Sequence, residues 1–395
     1  MTNTHLIVGD ALDVLQRFPD ASFDSMVTDP PYGLSNHTPA KVIETLRHWL
    51  DGDDSYVPSG RGFMGRAWDA FVPPPAVWKE CLRVLKPGAY ACVFASTRSA
   101  DLMGISLRLA GFEVRDTIEW VYGSGFPKSL DLGKAVDKKL GRKRKVIGQG
   151  MHTNIHAFAD KSRYTGTAVR PDITVGDSEW EGWGTALKPA HEPILLVRKP
   201  IAEKSVVDNV LKWRTGGINV GECRVGDDEV VINKLERWSG FGQVRQPDYE
   251  SVVSRGRFPA NLIHDGSKEA SRGFPENGEP TRFFYTAPWS DEDARALFYC
   301  AKANRKERGR DNPHPTVKPV ALMAYLVRLV TPKGGVVLDP FIGSGTTAVA
   351  CEKLGFRCVG IEFSPAYAEI AQKRLAATRA EMPLFASQTT ETPSE

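Results

Sequence analysis

Short apolar strand patterns alternate with helical patterns at both ends of this chain of 395 residues. In the first third, helical spacing separates strand patterns at 5–8, 23–28, 89–95 and 112–122. The last quarter resumes the alternation over 319–376. Such alternation produces crossover units, in which helices join parallel strands and cover the sheet. We therefore expect an α/β fold, a mostly parallel sheet with helices on both faces, completed by both chain ends.

Residues 137–311 interrupt this pattern. They are rich in Gly, Pro, Arg and Trp, and only 190–198 has clear strand character, which we expect to be a core-like strand. We interpret them as an insertion between a first half-domain, residues 1–136, and a second, residues 312–378. The two halves would form one Rossmann-like domain. Residues 379–395 are rich in Ser, Thr and Glu, and we expect them to form a disordered tail.

Composition narrows the class of protein. Lys and Arg number 51 against 48 Asp and Glu, so any surface for a polyanion must come from local clustering. No apolar run approaches the roughly 20 residues of a membrane-spanning helix, and the N-terminus lacks the pattern of a signal peptide. The six cysteines include no C-x-x-C pair, which disfavours a disulfide framework and a zinc site. We expect a metal-free cytoplasmic protein.

A strand, a glycine-containing turn and a helix follow one another between residues 336 and 354, and this pattern predicts a cofactor site. Glycine lets a ligand approach the backbone, and an acidic residue about 20 positions later can accept both ribose hydroxyls of an adenosine. Glu362 stands 19 residues after Gly343. Because Gly343, Gly345 and Ala348 also satisfy G-x-G-x-x-A, NAD stays open at this point. The candidate contacts in the turn are Asp339, Phe341, Gly343, Ser344, Gly345 and Thr346.

The sequence Asp29-Pro30-Pro31-Tyr32-Gly33 follows the second predicted strand. Consecutive prolines have fixed φ and no N–H, so they hold a rigid extended turn with free carbonyl groups. A carboxylate beside such a carbonyl forms a pair of acceptors suited to one amino group. The neighbouring tyrosine ring could stack on a planar base, and ligands bind at the carboxyl ends of strands in α/β sheets. We therefore predict a catalytic loop here.

Three motifs together resemble those of the S-adenosylmethionine-dependent DNA amino-methyltransferases. They are Asp29-Pro30-Pro31-Tyr32, His314-Pro315-Thr316-Val317-Lys318-Pro319, and Asp339-Pro-Phe-x-Gly-Ser-Gly-Thr-Thr. Their order, with the cofactor loop C-terminal to the catalytic loop, is similar to that of the family's β group. The resemblance covers about residues 4–122 and 312–375 and, in the middle of the chain, only the strand pattern His191-Glu192-Pro193-Ile194-Leu195. It implies that the inserted region recognises the DNA target.

The resemblance also implies roles for individual residues. Asp29 and the Pro30 carbonyl would hold the target amino group, and Tyr32 would stack on a base extruded from double-stranded DNA. Thr316 and Lys318 would contact the methionine end of S-adenosylmethionine. Asp10 would contact its adenine, although Asp10 could equally be the N-cap of the following helix. In the family, Asp at the first motif position usually accompanies N6-adenine methylation, with N4-cytosine methylation as the alternative.

A basic segment at residues 138–145 is the strongest candidate for phosphate contacts, which give affinity that depends on salt without specifying sequence. Its candidate residues are Lys138, Lys139, Arg142, Lys143, Arg144 and Lys145, with Arg163 and Arg170 as further candidates. Phe126, after the fourth predicted strand, could wall the base pocket. The family further implies a bacterial or phage-encoded protein, with a homodimer or a cognate restriction enzyme as conceivable partners. An NAD-dependent oxidoreductase and a non-catalytic DNA-binding module are the competing hypotheses.

Overall fold

A computed structural model describes residues 4–35, 37–60, 62, 67–123, 125, 129–149, 172–232, 252–267, 270, 285–286 and 317–381. Four of the predicted site residues lie outside this part of the chain: Phe126, Arg163, Arg170 and Thr316.

The described strands and helices largely follow the predicted alternation. The strands are β1 (Thr4–Val8), β2 (Phe23–Thr28), β3 (Leu85–Phe94), β4 (Glu113–Val121), β5 (Lys145–Gln149), β6 (Asp172–Val175), β7 (His191–Arg198), β8 (Val225–Ile232), β9 (Val252–Arg257), β10 (Leu262–His264), β11 (Tyr285–Thr286), β12 (Val336–Asp339) and β13 (Arg357–Glu362). The helices are α1 (Ala11–Leu15), α2 (Pro39–Leu50), α3 (Pro75–Val84), α4 (Ala100–Leu109), α5 (Leu132–Lys139), α6 (Val206–Trp213), α7 (Val320–Val330), α8 (Thr346–Leu354) and α9 (Pro365–Glu381). A short 3₁₀ helix spans Ala67–Asp69.

Nine strands form the main sheet, in the order β1-β13-β12-β2-β3-β7-β4-β10-β11. Within the described part of the sheet, β7 alone runs antiparallel to its neighbours, β3 and β4. The chain leaves β12 towards β13 and leaves β2 towards β3, so the connections diverge between β12 and β2. Such a divergence opens a crevice at the carboxyl ends of the strands, where α/β proteins bind ligands. The predicted mostly parallel α/β fold is confirmed.

Two hydrophobic cores cover the two faces of the sheet. One contains side chains of α7, α8 and α9, and the other contains side chains of α1, α2, α3 and α4. All six residues of β2 are buried, which is typical of a central strand in a sheet covered on both sides. The core therefore fixes the carboxyl ends of the central strands, where the predicted motifs lie.

The inserted region differs from the expected boundaries. The chain divides into one compact unit of residues 1–124 and 191–395 and a second of residues 125–190. Strands β7, β10 and β11, which fall within the predicted insertion of 137–311, pair in the main sheet. Strand β7 is the core-like strand expected near 190–198. The pairings of β10 and β11 were not predicted, because these strands are only 3 and 2 residues long.

Two further boundaries also differ from the prediction. Helix α2, which begins at Pro39 with Thr38 as its N-cap, lies in a stretch that has no predicted element. Helix α9 continues to Glu381, beyond the start of the predicted tail at 379, and the remainder of that tail lies outside the described residues. None of the helices in the described part of the chain combines the length and apolar character needed to cross a membrane.

Candidate active site

Three buried or partly buried hydrogen bonds hold the loop after β2. The Asp69 carboxylate accepts hydrogen bonds from the backbone N–H groups of Gly33, at 2.8 Å, and Leu34, at 3.1 Å. The Ser99 hydroxyl donates to the Tyr32 carbonyl at 2.6 Å. Gly33 has φ +66°, and a Cβ there would lie 2.7 Å from the Phe71 backbone, so the turn requires glycine. These contacts place Asp29 and Pro30 at the carboxyl edge of the sheet.

Lys318 lies at the centre of a buried polar cluster beside this loop. It directly precedes Pro319 and α7, and its side chain is only 2% exposed. Its Nζ lies 2.5 Å from Asp29 Oδ2, donates to the Tyr32 hydroxyl at 2.9 Å and lies 3.5 Å from Glu192 Oε2. It also lies 4.7 Å from the centre of the Phe94 ring, a cation–π distance. The predicted methionine-contact residue is therefore brought directly against the predicted catalytic carboxylate.

Asp29 presents one oxygen with no partner. While Oδ2 contacts Lys318, Oδ1 is shielded from solvent and makes no hydrogen bond within the described part of the chain. Buried carboxylate oxygens are normally hydrogen-bonded, because desolvating them without a partner costs free energy. An unpaired buried acceptor at a ligand-binding edge is therefore suited to receive a donor from a bound molecule.

Tyr32 differs from its expected stacking role. Its side chain is 7% exposed and belongs to the core that includes Phe94. Its hydroxyl donates to Glu192 Oε2 at 3.0 Å and accepts from Lys318. Burial and the nearby carboxylates of Asp29 and Glu192 raise the pKa of Tyr32 well above its usual value, which keeps the hydroxyl a neutral donor. In this arrangement the ring holds the charged cluster together and presents almost no face to a base.

Several side chains of the loop after β12 were predicted to contact the cofactor, but in the structure they bond to other residues of the chain. The Asp339 carboxylate accepts from the hydroxyls of Thr28, at 2.7 Å, and Thr347, at 2.5 Å, and from the Phe341 N–H at 3.1 Å. Burial raises its pKa to about 7, although these donors act in the opposite direction. Asp339 therefore links the ends of β12 and β2 and closes the loop, and both of its oxygens already have partners.

Arg374 from α9 engages the next part of the same loop. Its guanidinium donates to the Ser344 carbonyl at 2.7 Å, to the Ser344 hydroxyl at 3.2 Å and to the Thr346 hydroxyl at 3.1 Å. Ser344 and Thr346 are both buried. Gly345 has φ +83°, and a Cβ there would lie 2.7 Å from the Ala371 Cβ. Ser344, Gly345 and Thr346, which were predicted as cofactor contacts, therefore pack against α9.

Other predicted cofactor residues lie at the open edge. Glu362 ends β13 and is half-buried; burial raises its pKa, while N–H groups of Ser364 and Gly343 oppose that shift. Phe341 is half-buried against Trp78, with ring centres 5.9 Å apart. These two half-buried side chains are suited to contact an adenosine, while Gly343 beside them is buried. Because β1 pairs with β13, Asp10 also follows a strand end at this edge.

Asp10 is exposed and caps α1, accepting from the Leu12 N–H at 2.9 Å. The capping role weighed from the sequence is therefore present in the structure. The cap uses Oδ1 of Asp10. The contact of Asp10 with the adenine of the cofactor stays a prediction.

In the unit of residues 125–190, one member of the basic segment differs from the rest. Arg144 is 11% exposed and contacts Asp137 at 2.5 Å and Glu181 at 2.7 Å. It also bonds the Thr174 hydroxyl and carbonyl, at 3.0 Å each, so it joins α5 to β6. Its guanidinium is committed within this unit, and the prediction that it contacts phosphate does not fit these contacts. The remaining members are exposed: Lys138, Lys139, Arg142, Lys143 and Lys145.

Sequence reasoning assigned no role to Glu192, which is 5% exposed and contacts both Tyr32 and Lys318. Since β7 is antiparallel, its first residues lie beside the ends of β3 and β4, at the same edge as Asp29. The available signal was an acidic residue at the start of an otherwise apolar strand, His191–Arg198. Such a charge requires a buried partner, but the sequence does not show which partner.

Comparison with known proteins agrees with these motifs. The family model of the N6/N4 DNA methylases matches residues 23–373. Over 64 residues the chain is 47% identical to the type II methyltransferase M2.DpnII of Streptococcus pneumoniae, covering 16% of this chain and only 24% of that relative. The type II methyltransferase M.HindIII of Haemophilus influenzae is 23% identical over 383 residues, covering 93% of each chain.

Among solved structures, the M1.HpyAVI–SAM complex is 17% identical and aligns over 94% of this chain and 98% of that one, with a TM-score of 0.39. Family membership rests on the family model, which spans both motif-bearing halves and the region between them. The chain belongs to the N6/N4 DNA methylase family.

Proposed function

We propose that this protein transfers the methyl group of S-adenosylmethionine to the N6 amino group of an adenine flipped out of double-stranded DNA. The observation that carries the proposal is the buried, unpaired Oδ1 of Asp29 at the carboxyl edge of the sheet. The choice of adenine rests on Asp as the first residue of the Asp29-Pro30-Pro31-Tyr32 motif. The wider activity, amino-methylation of DNA, follows from the family.

The chemistry requires two acceptors for one amino group. An exocyclic amino nitrogen shares its lone pair with the ring and is a weak nucleophile. Hydrogen bonds from its two protons to Asp29 Oδ1 and the Pro30 carbonyl would favour a pyramidal nitrogen whose lone pair is free to attack. As the N–C bond forms and the S–C bond breaks, the Asp29 carboxylate stabilises positive charge on the nitrogen. Asp29 or water then accepts the released proton.

The residues around the crevice fit the cofactor. Glu362 offers a half-buried carboxylate for ribose hydroxyls, and Phe341 offers a half-buried ring. Gly343 has φ +54° and lies in the turn before α8, where the lack of a side chain lets a ligand approach the backbone. When bound, S-adenosylmethionine supplies an electrophilic methyl group on a good leaving group, so the chain needs to form no covalent intermediate.

Analysis of the product tests the choice of base. Methylated DNA is digested to nucleosides, and we expect N6-methyladenine without N4-methylcytosine. The reverse result would contradict the adenine assignment while leaving DNA amino-methylation intact. Calorimetry with S-adenosylmethionine and with NAD tests the cofactor, since preferential binding of NAD would contradict the whole proposal.

The exposed members of the basic segment are proposed to contact DNA phosphates. We expect Lys138→Gln with Lys143→Gln to weaken DNA binding and to reduce the slope of log affinity against log salt by about 0.9 per lost contact. Arg144→Gln is the matched control, because it removes a charge of the same segment that is already paired. It should destabilise the unit of residues 125–190, seen as faster amide exchange in α5. An unchanged salt slope in the Lys138/Lys143 double variant would exclude these two side chains from the DNA interface.

A further inference from the structure

Glu192 joins the catalytic loop from an element that carries none of the three motifs. It lies at the second position of β7, opposite Trp120 of β4, and is 5% exposed. Its carboxylate accepts from the Tyr32 hydroxyl at 3.0 Å and lies 3.5 Å from Lys318 Nζ. Tyr122 directly follows β4, and burial, followed by the charge of nearby Glu192, raises the pKa of that tyrosine. Both tyrosines therefore act as neutral donors.

Among the residues that the structure describes, the cluster contains two carboxylates and one ammonium group. Lys318 Nζ contacts Asp29 at 2.5 Å and Glu192 at 3.5 Å, and it is almost fully buried. Charges this close interact strongly where water is excluded. If Lys318 faced Asp29 alone, its positive charge would offset the carboxylate at the place where the methylated nitrogen becomes positive. A second carboxylate on the same ammonium leaves the cluster with an excess of negative charge.

We propose that Glu192 is a positioning residue for methyl transfer, which balances the charge of Lys318 so that Asp29 can stabilise the cationic target nitrogen. This inference rests on the proposed role of Asp29. Glu192 would act through Lys318 and Tyr32 without touching the substrate. Glu192 would also help to orient Asp29. Lys318, which Glu192 and Tyr32 hold, contacts Oδ2 of Asp29 and not Oδ1, so Oδ1 stays available as an acceptor.

A purely structural role makes a different prediction. Glu192 could serve only to satisfy the hydroxyls of Tyr32 and Tyr122. Glutamine has the same length and an oxygen acceptor, so Glu192→Gln would then be tolerated better than Glu192→Asp, which is one methylene shorter. If the charge matters, the order reverses, because aspartate keeps the carboxylate.

The test is single-turnover methyl transfer at saturating DNA and S-adenosylmethionine. We expect Glu192→Gln to lower the rate by about ten- to a hundredfold, with dissociation constants of both ligands changed by less than about twofold. Glu192→Asp should retain more activity than Glu192→Gln. Glu113→Gln is the matched control, because it removes a carboxylate paired with the buried Arg198 at the other end of the same strand pair. That control should keep the wild-type rate.

A double-mutant cycle with Lys318→Met identifies the partner of Glu192. Once the ammonium is absent, Glu192→Gln should cause little further loss, so the two changes should be strongly non-additive. Additive losses, a wild-type rate in Glu192→Gln, or a faster rate in Glu192→Gln than in Glu192→Asp would overturn the inference. Failure of the proposed function is distinguishable, because the wild-type protein itself would then leave DNA unmethylated.

Discussion

Two Asp-Pro pairs end neighbouring strands of the sheet, and they do different work. Asp29-Pro30 follows β2, and Asp339-Pro340 closes β12, which pairs with β2. Both carboxylate oxygens of Asp339 accept hydrogen bonds from neutral donors, which are two threonine hydroxyls and one backbone N–H. Asp29 has the ammonium group of Lys318 on one oxygen, and its other oxygen makes no hydrogen bond to any residue that the structure describes.

The comparison shows that the groups bonded to a carboxylate at a strand end determine what the carboxylate can do. Hydroxyl and amide donors satisfy the oxygens of Asp339 but supply no opposite charge, so burial still raises its pKa to about 7. The hydrogen bonds of that carboxyl group hold its own loop. Asp29 has a charged partner that secures one oxygen, and its second oxygen is left for a ligand. The same residue type at the same kind of strand end is thus structural in one loop and suited to catalysis in the other.

Of the changes at these two aspartates, removal of Asp29 should have the largest effect, and it should appear in the rate of methyl transfer. We expect Asp29→Ala to reduce the single-turnover rate of methyl transfer by about 10³-fold or more, because the target nitrogen loses an acceptor and a stabilising charge. DNA binding should be retained, since no phosphate contact is removed. Asp101→Ala, at an exposed aspartate in the first turn of α4, is the control for loss of an acidic residue. An unchanged rate in Asp29→Ala would remove Asp29 from the mechanism.

The sequence predicts Asp29 in the catalytic loop and Asp339 in the cofactor loop, but it does not show which carboxylate is occupied by the protein's own donors. Each ends an apolar run, each precedes proline, and each was predicted to be a site residue. What separates them comes from elsewhere in the chain: Lys318 reaches Asp29, whereas Thr28 reaches Asp339. Local patterns contain the strand ends and the turns, but they do not contain the side chains that fold against them.

The sequence predicted the fold more completely than it predicted the site. A short strand-like run predicted β2, and helical spacing predicted α8, because such patterns reflect burial in a core. The two-residue strand β11 and the antiparallel β7 depend on pairing partners, which periodicity does not identify. Since Glu192 reaches the cluster only through the direction of β7, the same limit concealed a residue of the site.

The pH dependence of folding should distinguish Asp339 from an ordinary carboxylate. Its pKa is about 7 in the folded chain against an ordinary 3.8, so the folded state holds a proton that the unfolded state has released between these values. The contribution of Asp339 to stability therefore decreases as pH rises from about 4 to about 7. Asp339→Asn removes this titration. Relative to the wild type, the variant should gain roughly 1–4 kcal/mol of unfolding free energy over that range.

Denaturant titrations of both proteins at several pH values measure this difference. A constant gap between wild type and Asp339→Asn across the range would show that Asp339 has the same protonation behaviour in both states. It would also remove the physical basis for treating this loop differently from the loop at Asp29.

Loss of one donor to Asp339 should give the smallest effect. Thr28→Val keeps the side-chain shape and removes the 2.7 Å hydrogen bond to Asp339 Oδ1. We expect a loss of about 1 kcal/mol of unfolding free energy, larger at about pH 8 than at about pH 5, because the donor favours the ionised form. Thr331→Val is the control, since it removes a buried hydroxyl paired with the hydroxyl of Ser25. Neither hydroxyl titrates in this range, so its cost should not vary with pH. Equal pH dependence in both variants would mean that Thr28 does not act through the Asp339 charge.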